Sequence, residues 1–238
     1  MSKYINGIGI LLVIFLMSCS SDHSTPNTLT EEEKSEGWTL LFNGKNLEGW
    51  HLYNNRIPQS AWLVANGIIY CDSNSELDKA DLVTDKTYEN YDLKFEWKLE
   101  KEGNSGVFIN VKEDTAIAQT YFSAPEYQLL EDSHMDFSLP LKKPGCLYNF
   151  TPQLNSARTK VQGEWNQSRI VQKDGKIEFY LNGQQTAKMN FNSNEWKNLV
   201  SKSNFKEYPH FGKYTKGHIA LQDWSRGVSF RNIKIKEL

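Results

Sequence analysis

Cysteine is scarce in this chain of 238 residues, which has only three. Two of them, Cys71 and Cys146, match neither a disulfide framework nor a zinc-ligand spacing, so we read them as separate buried thiols. Charge of one sign is also lacking. The net charge is −2, with 27 basic and 29 acidic residues spread along the chain, and no basic tract marks a nucleic-acid partner. There is no nucleophile elbow, P-loop, dinucleotide glycine fingerprint or H-E-x-x-H. Fixed-period repeats and alternation of strands with long helices are missing too, which argues against solenoids and doubly wound sheets. The one nearly unbroken apolar run, residues 8–17, is too short for a membrane span.

That run has its own meaning. It follows the basic Lys3 and ends in Leu16-Met17-Ser18-Cys19, the pattern of a secretory signal with a lipobox. We expect residues 1–18 to be a signal peptide and Cys19 to carry lipid. Residues 19–36 should form a flexible tether rich in Ser, Thr, Asn and Glu. The chain would then be an exported lipoprotein, held to the outer membrane on its periplasmic or outer side. Residues 37–238 have the size of one all-β domain.

Short strands and turn signals fill that domain. Residues 91–99 alternate cleanly, with Tyr91, Leu93, Phe95, Trp97 and Leu99 on one face. Asn66-Gly67, Asp174-Gly175 and Asn182-Gly183 are tight-hairpin signals. In the last strand Val228 and Phe230 share one parity and Ile233 and Ile235 the other, which places a bulge near Arg231-Asn232. Residues 195–202 form the only helical pattern, with Asn194 as its N-cap. The pattern predicts a β-sandwich or barrel.

Two strands carry polar groups where a core would want apolar ones. Residues 126–134 read as a strand running out into a loop, with Tyr127, Leu129 and Glu131 on one face and Glu126, Gln128, Leu130 and Asp132 on the other. Residues 104–111 split in the same way, with Asn104, Gly106, Phe108 and Asn110 opposite Ser105, Val107, Ile109 and Val111. Such a row is either a solvated sheet face or the wall of a wet cleft suited to sugars, and aromatics at 13% with seven Trp supply rings for stacking. A two-carboxylate glycosidase needs carboxyl groups about 5–9.5 Å apart. Glu126 and Asp132 would be about 20 Å apart along an extended strand, so a partner would have to come from another strand, with Glu96 and Asp223 as candidates. The alternation Asp132, His134, Asp136, with Glu126 upstream, is a candidate divalent-cation site; nothing in the sequence requires one. Residues 133–160 form the longest aperiodic stretch, and loops of that length are often functional.

Several motifs taken together resemble one family. They are Phe42-Asn43-Gly44-Lys45-Asn46-Leu47-Glu48-Gly49-Trp50, Gly103-Asn104-Ser105-Gly106-Val107-Phe108, Pro125-Glu126-Tyr127-Gln128-Leu129-Leu130, Gly163-Glu164-Trp165-Asn166, Leu181-Asn182-Gly183, Gly217-His218-Ile219-Ala220-Leu221-Gln222-Asp223 and Phe230-Arg231-Asn232-Ile233-Lys234-Ile235. In this order they resemble the 3-keto-disaccharide hydrolase family across residues 37–238. The resemblance implies a concanavalin-like jelly-roll sandwich, here with one short helix, and action on glycosides oxidised at C3. A 3-keto group acidifies the C2 proton, so one base suffices and the C1 oxygen leaves by elimination. Glu126 or His134 is then the base, with Asp132 holding His134 in one tautomer. Asn104 and Gln128 orient hydroxyls or the enolate, and Tyr148, Gln222 and Trp224 contact substrate. One departure stands out. Where the family often has His-Gly after Gln-Asp, this chain has Trp224-Ser225. Two other readings are a non-catalytic carbohydrate-binding module and a conventional glycosidase, since fold alone does not fix function.

Overall fold

The computed structural model describes residues 25–54 and 59–238; the expected signal peptide and Cys19 lie outside the described residues. Strands run in chain order as β1 (Thr39–Leu40), β2 (Trp50–Leu52), β3 (Trp62–Ala65), β4 (Ile68–Cys71), β5 (Leu82–Thr84), β6 (Tyr91–Leu99), β7 (Asn104–Val111), β8 (Glu126–Leu130), β9 (Asn166–Lys173), β10 (Lys176–Leu181), β11 (Gln184–Asn190), β12 (His218–Ser225) and β13 (Val228–Glu237). They form two antiparallel sheets. One has the order β11-β10-β9-β6-β13-β4-β3, with β1 also paired to β13, and the other is β2-β5-β12-β7-β8. The two inner faces pack into a jelly-roll sandwich whose core draws on both sheets.

The period-2 pattern places that core. Tyr91, Leu93, Phe95, Trp97 and Leu99 of β6 are all buried, and they meet Tyr127 and Leu129 of β8 from the other sheet. Phe95 and Tyr127 contact edge to face, with ring centres 5.7 Å apart. The polar tips of Trp97 and Tyr127 share one partner inside. Trp97 Nε1 donates to Ser168 Oγ at 2.8 Å, and the Tyr127 hydroxyl lies 2.7 Å from the same oxygen. Truncating Trp97 to Ala should therefore cost about 3–5 kcal/mol in denaturant melts. A loss below about 1 kcal/mol would mean that β6 presents its other face to the core.

Asn66-Gly67, Asp174-Gly175 and Asn182-Gly183 all have positive φ at both positions, the geometry that matches the right-handed strand twist in two-residue hairpins. The β13 bulge lies between Arg231 and Lys234, with Asn232 at φ 51°, so Val228, Phe230, Ile233 and Ile235 all reach the core. Cys71 and Cys146 are separate buried thiols.

The structure departs from the sequence expectations in three places. Asn110 sits at φ 59°, a left-handed conformation that Asn tolerates, and this reverses the alternation of β7. Its amide turns into the sandwich and bonds Gln172 of β9 at 2.7 Å, while Val111 joins Phe108 on the outer side. The C-terminal helix, α2 (Asn194–Lys202), is capped by Ser193, whose hydroxyl accepts from the Trp196 amide, so Asn194 is the first helical residue and not the cap. Residues 27–36 are not a free tether. Asn27 is buried and exchanges backbone–side-chain bonds with Asn232. A second short helix, α1 (Glu31–Ser35), opens with a capping box from Thr30 and Glu33. Lys234 holds Glu33 and Lys236 holds Glu36.

Candidate functional site

Strands β8, β7 and β12 lie side by side in the five-stranded sheet. Their register aligns Gln128 with Gly106 and Gly106 with Gln222, and one row away Glu126 with Phe108 and Phe108 with Ala220. Alternate residues of these strands enter the core, so these six face outward. A cleft of about 440 Å³ opens over them, lined in part by Asn104, Glu126, Gln128, Gln222 and Trp224. Loops complete it: Tyr121 precedes β8, Asp136, Lys142 and Tyr148 follow it, and Phe205 and Tyr208 come after α2. Phe122 stacks on Tyr208 with ring centres 4.2 Å apart, which stiffens the aromatic wall. Trp224 is 65% exposed at the mouth, an indole face free for a ligand.

Glu126 is the chemical centre. Its carboxyl folds over Gly106, where a side chain would collide with it: a methyl at Gly106 would lie 2.7 Å from Glu126 Cδ and 2.8 Å from Cγ. No hydrogen bond within the described residues reaches that carboxyl. Burial pushes its pKa well above the usual carboxylate range, and the charge of Asp81 pushes it further. Asp81, at the entry to β5, is itself raised to about 7 by burial, although the Thr120 hydroxyl donates to it. The Tyr148 phenol is raised by burial and by Glu126, so it is a proton donor at neutral pH. Lys142 bonds Asp136 at 2.9 Å, which holds its ammonium above the ordinary lysine range, and its Nζ lies 6.0 Å from the Tyr148 ring centre.

The frame behind these groups is fixed on both sides. β8 pairs with β7 on one edge and with the 145–148 segment on the other. There the Gln128 amide donates to Cys146 O at 3.1 Å and the Tyr148 amide to Glu126 O at 3.0 Å. Preorganisation of this kind keeps side chains placed for reaction.

Six of the residues expected at the site thus converge: Asn104, Glu126, Gln128, Tyr148, Gln222 and Trp224. Asp132 and His134 do not. β8 ends at Leu130, so strand parity no longer governs the residues beyond it. Asp132 accepts from the Thr159 hydroxyl and lines a separate hollow with residues 159–164. His134 caps the turn Met135–Ser138 by accepting the Asp136 amide at its Nδ1, 3.0 Å away, and makes no bond to Asp132. The alternating Asp132, His134 and Asp136 therefore diverge, and among the described residues no group of three or more His, Cys, Asp or Glu is placed to hold a metal. Of the candidate second carboxylates, Glu96 is bound to Arg231 on the other sheet, and Asp223 accepts the Gly227 amide beside Cys71. Asp81 carried no local signal, because only the chain's return through β5 brings its charge to bear on Glu126. The cleft tyrosines Tyr121 and Tyr208 were visible only as part of the aromatic excess.

The model of the 3-keto-alpha-glucoside-1,2-lyase-like domain matches residues 37–236. A 3-keto-disaccharide hydrolase of Bacteroides thetaiotaomicron is 30% identical over 232 residues, covering 86% of this chain and 79% of that protein. The crystal structure of a candidate glycosyl hydrolase from Parabacteroides distasonis ATCC 8503 superposes with a TM-score of 0.82 at 35% identity, covering 90% of this chain and all of that one. A second candidate glycosyl hydrolase from the same organism gives 0.64 at 26% identity over 84% of this chain and 99% of its own.

Proposed function

The chain belongs to the 3-keto-alpha-glucoside-1,2-lyase-like family of glycoside-hydrolase-type enzymes, and on that premise we propose that it cleaves 3-keto-disaccharides by elimination and hydration, with Glu126 as the base. The ketone at C3 acidifies the proton on C2. Glu126 takes that proton, the electron pair forms the C1–C2 double bond, and the C1–O bond breaks. The departing oxygen takes a proton from the Tyr148 phenol. Water then adds to the enone: its oxygen bonds C1, Glu126 returns its proton to C2, and the proton that the water loses restores the Tyr148 phenol, so the sum is hydrolysis. The observation that carries this reading is the isolation of the Glu126 carboxyl over Gly106. Burial raises its affinity for a proton, and no hydrogen bond among the described residues competes for its oxygens, which suits a base working on carbon. Asn104 and Gln222 orient the sugar, and Trp224 stacks the second ring.

A single-base elimination also fits the arrangement of acids. The other carboxylate in the cleft lining, Asp136, is tied to Lys142 at 2.9 Å, and Asp81, which acts on Glu126, is not in the lining, whereas a conventional glycosidase needs two carboxyl groups free to flank the bond. The test is a reducing-end assay on a 3-keto-disaccharide beside its unoxidised parent. Cleavage confined to the ketone is the expected result. Turnover of the parent would point to a two-carboxylate glycosidase, and binding without turnover to a carbohydrate-binding module.

We further propose that the chain is exported and anchored through lipid on Cys19, on the strength of the lipobox-like Leu16-Met17-Ser18-Cys19. Cys19→Ala should move the protein from the membrane fraction to the soluble one, and the native protein should resist salt washes, since stable anchoring takes more than one acyl chain. A variant that stays with membranes in both low and high salt would remove the anchor.

A further inference from the structure

We infer that Gln128 reads a free hydroxyl of the bound sugar through its side-chain oxygen and takes no part in holding the ketone or its enolate; this rests on the cleft being the sugar site. Gln128 lines the cleft two residues from Glu126 on one strand, so both side chains stand on the same face. It is only 1% exposed. Its nitrogen is used up within the protein, donating to Asn104 Oδ1 at 3.0 Å and to the Leu129 carbonyl at 3.3 Å. The Leu129 carbonyl also settles which end of the amide is which, because an amide oxygen in that place would face another oxygen.

The oxygen is left over. Gln128 Oε1 is buried and has no hydrogen-bond partner among the described residues. Two other buried side-chain atoms share that condition, the Tyr91 and Thr151 hydroxyls, and neither residue is in the cleft lining. A buried acceptor without a donor is costly, and the strand cannot shift to relieve it. The Gln128 amide is bonded to Cys146 O at 3.1 Å, and the Gly145 amide to Gln128 O at 2.8 Å. The missing donor therefore belongs to a ligand.

The chemistry of that donor follows. An amide oxygen accepts and cannot donate, and a ketone or enolate oxygen has no hydrogen to give, so Gln128 Oε1 meets an O–H group. Asn104 completes the pattern. Its oxygen is taken by Gln128, its nitrogen makes no bond among the described residues, and the residue lines the cleft. The pair presents one acceptor and one donor side by side, which matches a sugar hydroxyl that gives one hydrogen bond and receives another. A site built in this way discriminates against an analogue that lacks the hydroxyl, because the buried acceptor is again left unpaired.

The test compares a 3-keto-disaccharide with its monodeoxy analogues on the full-length protein, using wild type, Gln128→Met and Gln128→Glu. Methionine has similar length and no strong acceptor, while glutamate keeps acceptor oxygens. In wild type, one deoxy position should lower kcat/KM by roughly 10- to 100-fold. Gln128→Met should bring that ratio close to one, and Gln128→Glu should keep most of it. The inference is overturned when no deoxy position matters in wild type, or when Gln128→Met lowers every substrate alike and leaves the ratio intact, as a purely structural role would. Calorimetric Kd values for the unoxidised disaccharide and its deoxy forms give the same ratio without turnover. A Gln128-dependent ratio in binding with no cleavage of the ketone would sink the proposed reaction and leave the hydroxyl reader standing, whereas the absence of that ratio in binding as well would sink the inference.

Discussion

Glu126→Gln should lower turnover of a 3-keto-disaccharide by about a hundredfold or more, the usual share of a general base, while thermal stability stays close to that of wild type. The amide keeps the volume of the side chain over Gly106 and removes only its capacity to take a proton. Glu131→Gln is the matched control. Glu131 lies just past the same strand and accepts the Glu102 and Ser133 amides at 2.8 and 3.0 Å. Despite a burial penalty, the Ser133 hydroxyl and these amides hold its carboxyl below the ordinary range, so it serves the turn and should leave kcat nearly unchanged. Equal losses in the two variants, or full activity in Glu126→Gln, would take Glu126 out of the mechanism.

The same residue sets a pH dependence. A base acts in its ionised form, so kcat/KM should rise with pH, and burial together with Asp81 places the midpoint of that rise well above an ordinary carboxylate. Asp81→Asn removes the nearby negative charge and should shift the limb to lower pH. A profile that is flat from pH 5 to 8, or that falls across that range, would show that Glu126 is not the group that must be ionised.

Gly106→Ala is expected to produce a large loss of activity with little loss of stability, a combination that few core substitutions give. Gly106 sits in the middle of β7 with φ outside the left-handed region, so alanine fits the backbone. A strand glycine also loses more conformational freedom on folding than alanine does, which favours the variant slightly. The added methyl, however, occupies the space of the Glu126 carboxyl and lies 2.7 Å from its Cδ. The carboxyl is the far end of a flexible side chain and will swing away. A displacement of about 1 Å at a reacting group can cost about a hundredfold, so kcat should fall by that order while the melting temperature holds within a few degrees. Unchanged kcat in a folded Gly106→Ala protein would mean that the position of Glu126 over this strand is irrelevant to catalysis.

What the sequence by itself determined is whatever repeats at a short period or is written in adjacent residues. The alternation in β6 fixed which side of Trp97 meets the core, and the parity of Glu126 and Gln128 against Tyr127 and Leu129 fixed the polar row of the cleft. Asn-Gly and Asp-Gly pairs fixed three hairpins because so few residue pairs accept two successive positive φ values. The change of parity between Phe230 and Ile233 fixed a bulge. Parity is informative only while the strand lasts. Beyond Leu130 the chain turns, so Asp132 took Thr159, 27 positions away, and His134 capped its own turn through the Asp136 amide, and neither kept the strand's parity. One left-handed residue, Asn110, was enough to invert the end of β7. The charge of Asp81 acts on Glu126 and Asn27 is locked to Asn232, 205 positions away in sequence, because the sandwich folds distant segments onto one another. The row of groups on a strand is therefore local information. Which row becomes a site, what stands behind its carboxyl and which loops wall it in depend on contacts between segments far apart in the chain, and only the packed sandwich decides those.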